Sequence, residues 1–422
     1  MGANKVAESA NISKFKIYSN KGGFADIRRL VTEFTYEESV FDTSIRVQAV
    51  IIDSAAVPSG ATITSVLDML RITGGELVEL EFQDNLGGSY TLEMYVDELI
   101  ATSNNTKNQV YLITMVSKEL LMNESKRVRR KYEFRISDNV IKILREVLQT
   151  PKTIIIDPTI NEFNFLGVNY KPFYWCLSLA KKSIPFQKGL IAGYLFFENY
   201  KGYNFRSIDL LFGQGPKRKY VYNETVDGGS GTKILQYNMS GSMQFQRNLS
   251  AGTYSNQRYD FEPRKQNYDE NLFDYEDQEG AVIFPASVWI PEHLNQEFLE
   301  KPSRYFTYMK DVGALPPGKT LDVQLEKSAE ENLEIREIAV QAAMRYQQAF
   351  QIQMEITIAM DLGVNVGDIV FVDIPEISSR KQRNPQGESQ NGGLYMVSEI
   401  CHKLTQTRSL SKLILVRDSL VK

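Results

Sequence analysis

Tyr95-Val-Asp-Glu-Leu99 aligns without a gap against Met396-Val-Ser-Glu-Ile400, and the rest of the 422-residue chain is read outward from that pairing. At the same offset Thr106-Lys107 meets Thr407-Arg408, and Leu112-Ile113 meets Leu413-Ile414. Upstream, Gly75-Glu-Leu-Val-Glu-Leu-Glu81 parallels Gly367-Asp-Ile-Val-Phe-Val-Asp373. Each copy reads as helix, Gly–acid turn, strand, loop, long strand, polar turn and final strand. Strand alternation alone produces chance matches, but here order, spacing and both turn chemistries agree together. Two copies so far apart do not make a solenoid, which needs adjacent repeats. They predict a pseudo-symmetric pair, with the middle of the chain carried as insertions.

In the first copy, Ser44–Ile52, Leu77–Phe82, Tyr90–Leu99 and Gln109–Val116 carry the β-branched and aromatic alternation of half-buried strands. A short helical candidate, Ser65–Arg71, precedes Gly74-Gly75. In the second copy the strands are expected at Gln351–Met360, Asp368–Asp373, Leu394–Lys403 and Ser411–Val416. The loop Ile374–Gly393 is longer than its counterpart. A helix over 329–350 precedes these strands, with Ser328 and Glu331 as a capping box. Its buried stripe is Ile335, Ile338, Ala339, Ala342, Tyr346 and Ala349. At ~1.5 Å per residue it is long enough to brace a sheet along its length.

Between the copies the character changes. A basic run, Lys126, Arg127, Arg129, Arg130 and Lys131, leads into a helix expected at 138–149, ended by Pro151. A second helix starts with Pro172 in its first turn and should bury Phe173, Cys176, Leu177 and Ala180. Strands are expected at Gly193–Glu198 and Ser207–Leu211, and Asp227-Gly-Gly-Ser-Gly231 reads as a flexible joint. Residues 251–327 are polar, rich in Asn, Gln, Tyr and Pro, and show little periodicity, as expected of a long excursion with partner contacts.

The closing segments carry a resemblance to a known family. The long helix, Leu362-Gly-Val-Asn-Val-Gly-Asp-Ile-Val-Phe-Val-Asp373 and Tyr395-Met-Val-Ser-Glu-Ile400…Leu413-Ile-Leu-Val416 resemble the closing pattern of the central baseplate hub protein of contractile-tailed bacteriophages. That family is related to the hub part of type VI secretion spikes, and the first 120 residues resemble its first tube module. The resemblance covers about half the chain and leaves the insertions at 123–232 and 251–327 unmatched. It implies a β-rich α+β fold: two similar β-barrel-like tube modules, each with a bracing helix, plus inserted mixed α/β domains. The expected division is an N-terminal arm (1–12), a first tube module (13–122) and an inserted mixed domain (123–232). A second tube module (233–250 with 328–422) then encloses an extended insertion (251–327).

The resemblance further implies a homotrimer placing six quasi-equivalent modules around a channel through which DNA passes without specific binding. Its expected partners are tail-tube or tube-initiator proteins, the central spike and the baseplate wedges, and its expected place is the virion tail, assembled in host cytoplasm. Ring closure also protects sheet edges that would otherwise aggregate.

Chemistry is sparse by comparison. A net charge of −4 argues against a general polyanion binder. His293 and His402 are the two histidines, and His402 adjoins Cys401 in a strand, where neighbours point to opposite faces. Cys176 and Cys401 are 225 positions apart and make no disulfide framework. No zinc, calcium-loop, phosphate-loop or nucleophile-elbow pattern occurs, so no cofactor or metal is expected. The basic run reads as a solvated face or a protein-docking patch ahead of a DNA contact. The N-terminus lacks a signal-like apolar region, no apolar run is long enough to span a bilayer, and no stable membrane insertion is expected. The expected role is structural, without turnover. The alternatives are a tail-associated peptidoglycan hydrolase acting through paired carboxylates and a receptor- or carbohydrate-binding tail protein using the Tyr-rich stretch 254–275.

Overall fold

A computed structural model describes residues 11–53, 70–84, 86–104, 109–187, 192–222, 232–241, 245–252, 255–262, 266–274, 301–302, 304–309, 320–323, 335–374 and 392–418. Outside them lie residues 65–69 of the first helical candidate, the glycine joint at 227–231, the Ser328/Glu331 capping pair, His293 and nearly all of the loop between Ile374 and Gly393.

The first strands are β1 (Asn11–Tyr18), β2 (Phe24–Asp26), β3 (Val31–Ser39) and β4 (Arg46–Asp53). They continue as β5 (Leu77–Gln83), β6 (Ser89–Asn104) and β7 (Gln109–Val116), giving the lateral order β2-β1-β5-β6-β7-β4-β3. Alternate residues turn inward, so Phe15, Phe34, Tyr36, Val47, Leu80 and Phe82 meet in one core. Sequence reading found four of these strands and missed β1 and β3, whose charged residues dilute the apolar signal, and β2, which is only three residues long.

The middle of the chain forms a mixed layer. It contains α1 (Lys118–Ser125), β8 (Lys131–Tyr132) and α2 (Ile136–Lys142), which runs into a π-helical turn over Ile143–Leu148. Then come β9 (Ile154–Ile156), β10 (Phe165–Leu166), α3 (Pro172–Ala180), β11 (Tyr194–Asn199), β12 (Gly202–Ser207) and α4 (Ile208–Phe212). Two expectations fail here. Residues 208–211 are helical, because the strand ends at Ser207 and Ile208, Leu211 and Phe212 bury at helical spacing. Leu177 is exposed, and Trp175 and Leu179 are buried on the inner face of α3 instead.

A barrel takes β13 (Arg218–Val221) and β14 (Thr232–Gly241), and after an excursion β18 (Ile352–Ala359), β19 (Ile369–Asp373), β20 (Gly393–Thr405) and β21 (Ser409–Arg417). The order β19-β13-β14-β18-β21-β20, with β20 also bonded to β19, closes six strands into a ring. The excursion carries α5 (Phe245–Ala251), then β15 (Ser255–Glu262), β16 (Asn267–Asp274) and β17 (Arg304–Met309), which form a three-stranded sheet. Part of the 251–327 segment thus has regular structure, which its weak periodicity did not announce. Helix α6 (Ile335–Ala349) follows, and its Ile338 and Ala342 enter the core of the mixed layer.

The two aligned segments fold alike down to single hydrogen bonds. Gly75 N–H donates to Val96 O (2.7 Å) and Val96 N–H to Glu76 O (3.0 Å). In the second copy Gly367 N–H donates to Val397 O (2.8 Å) and Val397 N–H to Asp368 O (2.9 Å). Thr73 N–H caps onto Glu76 Oε1 (2.7 Å), and Asn365 N–H onto Asp368 Oδ2 (2.8 Å). A β-bulge falls between Val96 and Glu98 and again between Val397 and Glu399. One detail differs from the sequence alignment. Ile113, not Leu112, is equivalent to Leu413, since Leu99 faces Ile113 and Ile400 faces Leu413. Strand β6 has a second bulge between Ala101 and Ser103, which adds one residue to the first hairpin.

Both turn glycines need positive φ, +80° at Gly75 and +85° at Gly367, but their surroundings differ. A Cβ on Gly75 would meet nothing within 4 Å, whereas one on Gly367 would sit 3.0 Å from Phe197 Cζ. Gly75→Ala should therefore cost about 1–2 kcal/mol of backbone strain. Gly367→Ala should lose roughly 1–3 kcal/mol more from overpacking. Urea unfolding of the two variants checks this, and equal losses would refute the asymmetry.

Candidate assembly interface

The first sheet is joined to the six-stranded barrel along one strand. Strand β3 pairs antiparallel with β20 from Glu33↔Thr405 to Ser39↔Glu399, so the thirteen strands form one continuous hydrogen-bonded sheet. The cores interlock across this seam: Met360, Leu362 and Leu404 enter the first core, and Val40 enters the second.

Glu38, near the end of β3, is buried at the seam. Its Oε1 accepts from Tyr36 O–H (2.6 Å) and Tyr200 N–H (2.7 Å), and its Oε2 accepts from Val366 N–H (3.1 Å). One carboxylate thus fastens first sheet, mixed layer and barrel at a point. Burial raises its pKa to about 7, against the pull of those three hydrogen bonds. Beside it Tyr90 stacks on Tyr200 (3.7 Å between ring centres), donates to Leu362 O (2.9 Å) and accepts from Asn365 Nδ2 (2.7 Å). Asp84 Oδ2 accepts from Leu362 N–H (2.8 Å). These groups use their hydrogen-bonding capacity on the chain itself, which suits a rigid joint rather than proton transfer to a substrate.

Two buried ion clusters stiffen the surrounding layers. Lys152 bridges Glu119 and Glu198, while Glu198 Oε2 accepts from Ile45 N–H (3.1 Å) of the first sheet. Burial holds Glu198 above the ordinary carboxylate range even with Lys152 beside it. Arg345 of α6 donates from Nε to Asp209 Oδ1 (2.6 Å) and from Nη1 to Asp418 Oδ2 (2.9 Å). Sequence reading missed all of these. Arg345 had a signal, since it lies in phase with Ile338, Ala342 and Ala349 on an otherwise apolar stripe; Glu38 and Lys152 had none.

His402 is buried and stacked on Tyr36, with Nδ1 2.6 Å from Ser411 Oγ. Burial lowers its pKa to about 3, so the ring is neutral at pH 7. Cys401 lies half-buried beside it, its thiol pushed up to about 11 by burial and by the Glu37 carboxylate. Neutral imidazole and protonated thiol do not form a nucleophilic pair. Cys176 is a buried thiol, raised by the same desolvation. Among the described residues no three or more His, Cys, Asp or Glu cluster to hold a metal. A cavity of about 760 Å³ between α3, α6 and β17 is lined by Lys181, Lys182, Arg304, Phe306, Tyr308 and Tyr346, with no Asp or Glu among its lining residues.

The basic run lies at the entry to the mixed layer. Lys126 and Arg127 are half-buried, and Arg127 Nη1 donates to Glu124 O and Lys126 O (2.8 Å each). Arg129, Arg130 and Lys131 are exposed. Arg129 Nε donates to Asn169 Oδ1 (2.9 Å), Arg130 pairs with Glu146, and Lys131 pairs with Glu133. Among the described residues no helix is long and apolar enough to cross a membrane.

No protein-family model and no curated protein sequence matches this chain. Solved structures do. The chain is similar to a tail protein from Neisseria meningitidis MC58, with TM-score 0.54, 8% identity and coverage of 96% of each chain. It is also similar to the 43 kDa tail protein of prophage MuSo2 from Shewanella oneidensis, with TM-score 0.53, 10% identity and coverage of 97% of this chain and 100% of that one. The likeness is one of fold, and it runs the length of all three chains.

Proposed function

We propose that this chain is the hub subunit of a phage tail baseplate. Three copies close a pseudo-sixfold ring that joins the tail tube to the central spike and leaves a channel for DNA. One observation carries the reading: each chain holds two segments with the same turn, bulge and strand register, fused into one sheet. A threefold assembly of such chains presents six like modules, which is what a symmetry adaptor between sixfold and threefold partners requires. The fold shared with a tail protein and with a prophage tail protein supports the setting.

In this reading the first module spans 13–122 and the second 233–250 with 328–422, with β13 contributed from the end of the 123–232 insertion. Tube or tube-initiator proteins, spike and wedge proteins are the partners, the virion tail is the location, and no catalytic turnover is involved. The saturated Glu38 joint fits a part that transmits force between its two modules.

Native mass measurement with low-resolution imaging of the purified chain tests the proposal. A trimeric ring with a central hole is expected. A monomer without a pore would defeat the hub reading, and cell-wall hydrolysis abolished by a single carboxylate substitution would replace it with the hydrolase.

A further inference from the structure

The mixed layer displays large apolar side chains to solvent. Phe134, Ile160, Leu166, Val168, Tyr174 and Phe186 are each about half exposed or more. They lie on connected backbone. Leu166 faces Lys131 in the β8–β10 ribbon, and Gly167 N–H donates to Arg130 O (2.9 Å). Phe163 N–H donates to Phe134 O (3.0 Å), Ile160 N–H to Ile184 O (3.0 Å) and Phe186 N–H to Pro158 O (2.9 Å). Arg135 lies over the Phe186 ring at 5.4 Å, joining two of the apolar groups.

Phe134 is the most informative of them. Its φ is +79°, a conformation that costs any residue with a Cβ. An exposed side chain recovers little of that cost by burial. Folding alone therefore favours glycine or asparagine at this position, and the phenylalanine serves something outside the chain. Charge gives the second observation. Residues 126–187 hold twelve Lys and Arg against five Asp and Glu, a net charge of +7 in a chain whose net charge is −4. Lys142 over the Phe134 ring, Arg135 over the Phe186 ring and Lys131 opposite Leu166 place basic groups beside the apolar side chains.

We propose that this face is a docking surface for a protein partner that presents carboxylates beside apolar side chains. The aliphatic members, Ile160, Leu166 and Val168, suit a protein surface better than nucleic acid, which stacks on aromatics. The surface is separate from the barrel seam, and the proposal stands whether or not the chain forms a trimeric ring.

The test uses the full chain and three labelled probes: an amphipathic peptide of Glu and Leu, the same peptide with Lys for Glu, and a short DNA duplex. Fluorescence anisotropy is expected to show binding of the acidic peptide that weakens with salt. Phe134→Gly should weaken it about tenfold, while the melting midpoint holds or rises because the glycine relieves the strained φ. Leu166→Ser, at an exposed position, should weaken binding in the same direction and guards against a misfolded first variant. Equal binding of the Lys peptide, binding indifferent to both variants, or no binding would overturn the proposal. Duplex binding lost in Phe134→Gly would assign the face to nucleic acid instead. Self-association in sedimentation that the same variant abolishes would assign it to a second copy.

Discussion

Arg345→Ala is expected to lower the unfolding free energy by about 3–5 kcal/mol, the loss typical of removing one partner from a buried ion cluster. The side chain is fully buried on α6 and holds Asp209 of α4 and Asp418 beyond β21. These positions lie 136 and 73 residues from Arg345 in sequence, so one guanidinium ties three distant parts of the chain. It also lies 5.5 Å from the Phe212 ring. Alanine would leave two carboxylates in a site closed to water, and that orphaning drives the loss more than any deficit of packing. A double variant with Arg345→Met and Asp209→Leu should recover part of the stability, because the guanidinium leaves together with one of its carboxylates while Asp418 keeps Arg417 beside it. Chemical unfolding of both proteins decides it. A loss below about 1 kcal/mol for the single variant would show that the cluster is not the clamp described here.

Lys152→Met is expected to cost about 3 kcal/mol near neutral pH, with a pH dependence that identifies the cause. Glu119 and Glu198 are buried, and Thr150 O–H (2.6 Å) remains as a donor to Glu119 when the ammonium is gone. Burial already holds Glu198 above its ordinary range, and loss of Lys152 removes the main influence pulling it down. A carboxyl whose folded pKa exceeds its unfolded value contributes stability below the unfolded pKa and loses it as pH rises through the folded one. The variant should therefore lie closest to the wild type near pH 5 and fall away toward pH 8. Melting midpoints of the pair across that range check the sign. A difference that is flat or shrinks with rising pH would contradict the triad's role.

Much of the β architecture was legible in the residues. Period-two alternation marked β4 to β7 and the four closing strands, since one face of each strand meets a core and the other meets water. The Gly–acid turns were legible for a different reason. Positive φ at Gly75 and Gly367 is a local demand that glycine meets, and the acid beside each caps the turn through nearby backbone N–H groups. Strand β13 is only four residues long, and β17 exposes Tyr305 and Met309, so periodicity had little to detect. The basic run was visible as a run, but its ribbon and the apolar side chains around it were not, because they come from segments up to about 50 residues apart.

By itself the sequence determined that one turn-and-hairpin pattern occurs twice, because turn chemistry and strand period are local properties repeated in the same order. Only the tertiary structure decided how the two units meet. The pairing of β3 with β20, the exchange of Val40 for Met360 and Leu362 between cores, and the burial of Glu38, Glu198 and Arg345 depend on residues far apart in the chain. A charged residue looks the same in sequence whether solvent or three distant donors will surround it. Desolvation by the folded neighbours is what turns Glu38 from an ordinary surface acid into the fastening between the first sheet and the barrel.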